Sequence, residues 1–225
     1  MTIKQPNSIV WIVDDDPAVR EYLQWLIESV GLGVSLHDSA TDFLQRYQDS
    51  APGCLLVDVR MPGPSGFDLQ DALAERQIRL PLIMMTAYAE VPMAVRALRN
   101  GAFDFVQKPF DGQVLLDRVR QAVEADRRDR SERAEAIEAR ARLAQLTPRQ
   151  RAVLDGLVKG KPIKAIAADL GLSPKTVDVH RVRLLERMQA TSLSQLFQLV
   201  FQRPRDNAVP WTRAYMYAGQ ARGEP

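Results

Sequence analysis

Between residues 9 and 124 the apolar positions follow two alternating periods. Short runs at 9–13, 34–37, 55–57, 82–85 and 103–106 are apolar on both faces, and each ends in a polar or Gly/Pro-containing turn. Runs of this kind predict strands covered on both sides, hence a parallel sheet. Longer amphipathic stretches lie near 17–30, 40–48, 66–76, 91–100 and from 112 onward, and predict helices. Pro17 suits a first helical turn, and Ser39 with Asp42 three residues on has the spacing of a capping pair. Five such units predict an open, doubly wound α/β sheet. Its functional crevice is expected beyond the carboxyl ends of the strands.

After residue 124 the pattern changes twice. Residues 125–146 hold six Arg, five Asp/Glu and many Ala, with neither Gly nor Pro. Asp126 and Arg130, like Asp129 and Arg133, stand four apart, which supports an exposed helix. Ala134, Ile137, Ala141 and Ala144 make a 3-4-3 seam, but a heptad and a half is too little for a coiled coil. The expectation is a solvated linker helix over 125–145.

From Thr147 onward short helices return. Thr147-Pro148-Arg149-Gln150 reads as a capping box with Pro at the first helical position. Helices are expected to about Lys159, from near Pro162 to Leu170, from Pro174 to about Met188, and over 192–201. The tight turn at Gly171 gives helix-turn-helix spacing. The tail 204–225 has no sustained period, although it holds Trp211, Tyr215 and Tyr217, and is expected to be flexible. The organisation expected is therefore 1–124, 125–145, 146–203 and 204–225.

Composition adds a division of charge. The 225 residues carry a net charge of +2. Residues 1–124 hold 11 basic and 17 acidic side chains, a balance of −6, whereas 147–203 hold 10 and 4, a balance of +6. An acidic module suited to a cation and a basic module suited to a polyanion are implied. The single cysteine, Cys54, excludes an intramolecular disulfide framework and fits a reducing compartment. No run reaches the ~18 apolar residues of a spanning helix, and residues 1–8 lack a signal-type apolar region. A cytoplasmic protein without a membrane partner is expected.

Candidate chemistry gathers at the predicted strand ends. The first strand ends in Asp14-Asp15-Asp16, the third in Asp58, the fourth in Thr86, and the fifth is followed by Lys108-Pro109. Clustered carboxylates repel unless a hard cation lies among them, and Mg²⁺ is the usual choice for oxygen ligands. A cation, an ammonium and a hydroxyl around one carboxylate are what an incoming phosphoryl group requires. Asp16 precedes Pro17 and suits the cap of the following helix.

Asp14-Asp15, Asp58 within Val-Asp-Val-Arg-Met-Pro, Thr86-Ala87 and Lys108-Pro109-Phe110 resemble the receiver domain of bacterial two-component response regulators, over roughly residues 8–124. The resemblance implies a flavodoxin-like (βα)5 fold with Asp58 as phosphoacceptor. It implies that Asp14, Asp15 and Asp58 hold Mg²⁺ together with the Arg60 main-chain carbonyl, and that Thr86 and Lys108 hold phosphoryl oxygens. Phe105 falls at the family's switch position beside Thr86, and Arg60 and Tyr88 fall where receivers tune phosphoryl lifetime. In receivers the peptide bond before the residue matching Pro109 is typically cis. Val91-Pro92-Met93-Ala94-Val95 resembles FixJ-like regulators, which dimerise through this face.

Residues 146–201 are similar to the LuxR-type helix-turn-helix of the NarL/FixJ group. The residues that carry this are Leu146-Thr147-Pro148-Arg149, Gly160, Leu170-Gly171-Leu172-Ser173 and Lys175-Thr176-Val177-Asp178-Val179-His180-Arg181. Gln150 stands where the group usually has Glu, and Lys161-Pro162-Ile163 replaces a more usual run. Val177, Leu184, Leu185 and Met188 recur at helical spacing and should face the core. Lys175, Thr176, Asp178, Val179, Arg181, Val182 and Arg183 are left to meet the major groove. Asp178 is awkward beside DNA, and either accepts from cytosine or holds Arg181. His37 and His180 lack companion ligands for a metal.

The combined expectation is an α/β receiver joined by a helical linker to an all-α LuxR-type module. A sensor histidine kinase would phosphorylate Asp58, the chain would form a homodimer, and double-stranded promoter DNA would be bound, with RNA polymerase as a further partner and activation as the outcome. Two alternatives stand beside it. One is a haloacid-dehalogenase-like phosphatase, which needs its nucleophile in an Asp-x-Asp at the first strand. The other is a receiver whose output binds RNA or protein.

Overall fold

The computed structural model describes residues 8–201. The expected tail at 204–225 lies outside the described residues. The chain divides into two compact units between Arg130 and Ser131.

The first unit holds five parallel strands, β1 (Ile9–Val13), β2 (Gly33–His37), β3 (Gly53–Asp58), β4 (Leu82–Thr86) and β5 (Asp104–Gln107), in the order β2-β1-β3-β4-β5. Helices α1 (Pro17–Glu28), α2 (Ala40–Arg46), α3 (Gly66–Glu75) and α4 (Val91–Arg99) connect them, and α5 (Gly112–Ala144) follows β5. Side chains alternate across the central strands, so one run feeds two cores. Val10, Ile12, Cys54, Leu56, Ile83 and Met85 pack with Leu23 and Ile27 of α1 and Leu115 and Val119 of α5. Trp11, Val13, Leu55, Val57 and Met84 pack on the other face with Phe43 of α2, Leu69 and Leu73 of α3, and Ala97 of α4. β3 is buried along its whole length and runs further than its expected 55–57, because Gly53 and Cys54 pair with Ile9 and Val10.

Capping follows the sequence closely. Asp16 caps α1 by accepting the Ala18 N–H at 2.8 Å, with Pro17 next. The Ser39 hydroxyl accepts the Asp42 N–H, but the Asp42 carboxylate turns to His37 at 2.7 Å rather than closing a box.

The segment 125–145 does not form a helix of its own. It is the continuation of α5, which runs 33 residues without a break. Nor are its first turns simply solvated: Asp126 is fully buried and Asp129 nearly so.

The second unit contains α6 (Pro148–Val158), α7 (Ile163–Leu170), α8 (Pro174–Met188) and α9 (Leu193–Phe201). Its core joins Val153 and Leu154 of α6, Ile166 of α7, Val177, Leu184 and Met188 of α8, and Leu196 of α9. Thr147 and Gln150 form the full capping box. Gly171 takes a left-handed conformation (φ +64°) that ends α7 and turns the chain toward α8. Among the described residues no helix is long and apolar enough to cross a membrane.

Candidate functional site

Sheet register alone brings four of the expected side chains to one rim. β1 pairs with β3 so that Val13 lies beside Val57, and Asp14 therefore follows level with Asp58. Asp58 pairs with Met85, one residue before Thr86, and Thr86 pairs with Gln107, one residue before Lys108. The Lys108 N–H donates to the Thr86 carbonyl at 2.7 Å, and the Lys108–Pro109 peptide is cis. Gly66 opens α3 directly against this rim, where an added Cβ would stand 2.6 Å from the Asp58 carbonyl oxygen.

The ammonium of Lys108 lies between two carboxylates. Its Nζ donates to Asp14 Oδ2 and to Asp58 Oδ1, each at 2.6 Å. The remaining oxygens are also held: Asp14 Oδ1 accepts the Asp16 N–H, and Asp58 Oδ2 accepts the Arg60 N–H at 2.7 Å. Burial pushes the Asp14 carboxyl above its ordinary value, while Lys108 pulls it back. Burial also opposes the charge on Lys108, but its bonds to Asp14 and Asp58 win and hold the ammonium above its ordinary value. Thr86 is buried, and its hydroxyl oxygen accepts the Tyr88 N–H at 3.2 Å, which leaves its own O–H as a donor. Phe105 is half-buried on β5 and packs with the core on the α3 and α4 side.

Asp15 behaves differently from its neighbours. It is exposed, and among the described residues no three His, Cys, Asp or Glu side chains form a ready-made metal cluster. The donors that do converge, Asp14 and Asp58, offer only oxygen, which is the chemistry Mg²⁺ takes.

Two supporting residues were not read from the sequence. Arg20 Nη1 donates to the Asp14 carbonyl at 2.6 Å, from the first turn of α1. The His37 carbonyl accepts the Asp14 N–H, while its ring Nδ1 meets Asp42 at 2.7 Å and Nε2 meets Ser35 at 3.0 Å. A histidine closing the strand beside the acidic one, with a carboxylate five residues on, was the signal available for that bracket.

In the second unit α8 sorts its faces as expected. Val177, Leu184 and Met188 are buried, and Leu185 is half-buried against them. Lys175, Val179, Val182 and Arg183 are exposed. Thr176 is half-buried and spends its hydroxyl on Ser173 Oγ at 2.8 Å, within the helix cap. Asp178 holds Arg181 in an ion pair at 3.1 Å, which gives that carboxylate a local partner.

A parallel sheet with a lysine-bridged acidic rim, followed by a four-helix unit with a glycine-turned helix pair, defines a class: the chain is a response regulator with a DNA-binding output. Residues 10–120 match the response regulator receiver domain, and residues 144–200 match the bacterial regulatory proteins of the luxR family. The chain belongs to the FixJ-like transcriptional regulators. It is 41% identical over 209 residues to transcriptional regulatory protein FixJ of Azorhizobium caulinodans, covering 91% of this chain and 99% of that protein. It is 40% identical to transcriptional regulatory protein TdiR of Thauera aromatica, covering 86% and 85%. Among solved structures, response regulator StyR is similar at 36% identity with a TM-score of 0.76, covering 88% of this chain and all of that one. Full-length FixJ from B. japonicum is similar at 38% identity with a TM-score of 0.54, covering 86% and 96%. The family makes the chain a phosphorylation-dependent transcription regulator rather than a phosphatase, and its luxR-family output stands where the RNA- or protein-binding alternative was held open.

Proposed function

We propose that Asp58 is the phosphoacceptor and that its phosphorylation governs the engagement of duplex DNA by α8. The observation that carries this is the Lys108 ammonium 2.6 Å from both Asp14 and Asp58. A cation already seated on the acceptor carboxylate can pass its hydrogen bond to an incoming phosphoryl oxygen without leaving the site.

The step is an in-line displacement. A carboxylate oxygen of Asp58 attacks phosphorus as the bond to the donor breaks, and the donor leaves with that bond's electron pair. The Arg60 N–H keeps the other Asp58 oxygen in place. The free Thr86 O–H and the Lys108 ammonium then receive phosphoryl oxygens. Asp14, Asp15, Asp58 and the Arg60 carbonyl are the groups that would hold Mg²⁺, which supplies charge neutralisation at the phosphoryl oxygens. The chain acts only on its own Asp58, as acceptor and in later hydrolysis.

A sensor histidine kinase in the cytoplasm is the donor this chemistry calls for. Movement of Thr86 toward the phosphoryl group leaves space for Phe105, and the α4–β5 face then pairs two copies. Val91, Val95 and Leu98 are exposed on α4 and supply the apolar surface for such a homodimer. Two α8 helices then address two half-sites of a promoter, with Lys175, Val179, Arg181, Val182 and Arg183 facing the groove and Thr176 and Asp178 ordering the helix beside them. RNA polymerase is the partner through which bound protein activates transcription.

The test is labelling by acetyl phosphate with Mg²⁺, read as a mass increase. The wild-type chain gains one phosphoryl group and Asp58→Asn gains none. Equal labelling of the variant would remove Asp58 from its role.

A further inference from the structure

Asp126 is fully buried, yet it lies on α5 beyond the residues matched to the receiver and before those matched to the luxR family. A carboxylate so placed is expensive unless it is bonded and paired. Asp126 Oδ2 accepts the backbone N–H of Gly53 at 2.9 Å across the core, and the Nε–H of Arg130 at 2.7 Å from the next turn. Arg130 reaches on to Asp49, and Arg127 donates to Ser8 Oγ at 2.8 Å. Three residues of α5 are thus tied to the loops that open β1 and β3. Gly53 itself lies tight against β1, where an added Cβ would stand 1.8 Å from the Ile9 carbonyl oxygen.

The other end of β3 is Asp58. One buried six-residue strand therefore carries the proposed phosphoacceptor at its carboxyl end and the Asp126 anchor at its amino end. We infer that Asp126 and Arg130 are positioning residues that fix the exit of α5 from the first unit, so that the connecting segment begins after Arg130 and the state of Asp58 reaches α5 through β3. The coupling part rests on the phosphorylation-dependent reading above.

The anchor touches neither Asp58 nor DNA, so it predicts a split between readouts. In full-length Asp126→Asn, labelling of Asp58 by acetyl phosphate stays within about twofold of wild type. Amide hydrogen exchange over 121–135 rises. The gain in affinity for a duplex selected by the phosphorylated wild-type chain, measured as phosphorylated against unphosphorylated protein, falls at least tenfold. Unchanged exchange would overturn the anchor, and faster exchange with the full gain retained would overturn its role in coupling. If Asp126→Asn does not fold, Arg130→Lys keeps the charge but loses the two-pronged grip, and is read in the same way. A wild-type chain whose duplex affinity ignores phosphorylation would overturn the function reading together with the coupling, and the exchange result would still decide the anchor.

Discussion

The guanidinium of Arg60 lies over the ring of Tyr88, 4.9 Å from its centre, and joins the loop after β3 to the loop after β4. Each residue stands two positions beyond a group proposed to handle phosphate, Asp58 and Thr86. On the proposed reading the two joined loops form a closed arrangement beside the acceptor, and losing the contact opens it. An exposed cation–π contact contributes about 0.5–1 kcal/mol, so its loss should change the occupancy of that closed arrangement by about two- to fivefold. Tyr88→Ala is therefore expected to shorten the half-life of phosphorylated Asp58 by about that factor, measured as loss of ³²P label after the donor is removed. A longer half-life would show that the pair assists hydrolysis instead.

Lys108 makes a stronger demand. It is the positive charge seated between Asp14 and Asp58, and the charge an incoming phosphoryl group would meet. Removing one preorganised donor of this kind commonly costs about 10²–10³ in rate. Lys108→Ala should slow labelling by acetyl phosphate by that order. Lys108→Arg should not restore it, because a planar fork cannot occupy the position of a compact ammonium bonded to two carboxylates at 2.6 Å. Rescue by arginine would mean that charge alone suffices.

The rim was legible because it is local. Asp14, Asp58, Thr86 and Lys108 each follow an apolar run, and parallel pairing carries all four to the same side of the sheet. Asp126 was misread for the opposite reason. Its four-residue spacing from Arg130 is what an exposed ion pair shows, and its burial depends on Gly53, 73 positions earlier in the chain. Periodicity reports which face of a helix is apolar, not that another loop will cover a charge. Asp42 taught the same lesson more mildly, since capping spacing gave its backbone bond correctly while its carboxylate went to His37.

On α8 the ion pair between Asp178 and Arg181 sets an order among variants. If Arg181 reads a base, Arg181→Ala should lower affinity for a selected duplex by about 1–3 kcal/mol and relax preference at one position. Arg183 is exposed, and if it meets phosphate, Arg183→Ala should weaken all duplexes alike and reduce the dependence on salt. Asp178→Asn should keep affinity near wild type but loosen discrimination, because it frees the Arg181 side chain. Gel-shift titrations over matched and mismatched duplexes at two salt concentrations separate these outcomes.

Cys54 offers a probe of the sheet that needs no ligand. It is fully buried in the core on β3, next to Gly53, which Asp126 holds, and burial, with the Asp126 charge adding to it, pushes its thiol well above the ordinary value of 9.0. The thiolate is the reactive form, so the native chain should be inert to a thiol reagent at pH 8 and should react only at the rate of unfolding. The sign of the linkage follows from the same shift. A thiol held protonated in the fold contributes stability that is complete below pH 9, where the unfolded chain is also protonated. That contribution is lost as pH rises beyond 9, by up to about 1.4 kcal/mol per pH unit. Urea titrations at pH 8, 9, 10 and 10.5 should therefore show wild type losing stability faster than Cys54→Ala, even though the alanine chain starts lower for its cavity. Parallel loss in the two chains would mean that the alkaline sensitivity belongs to other groups.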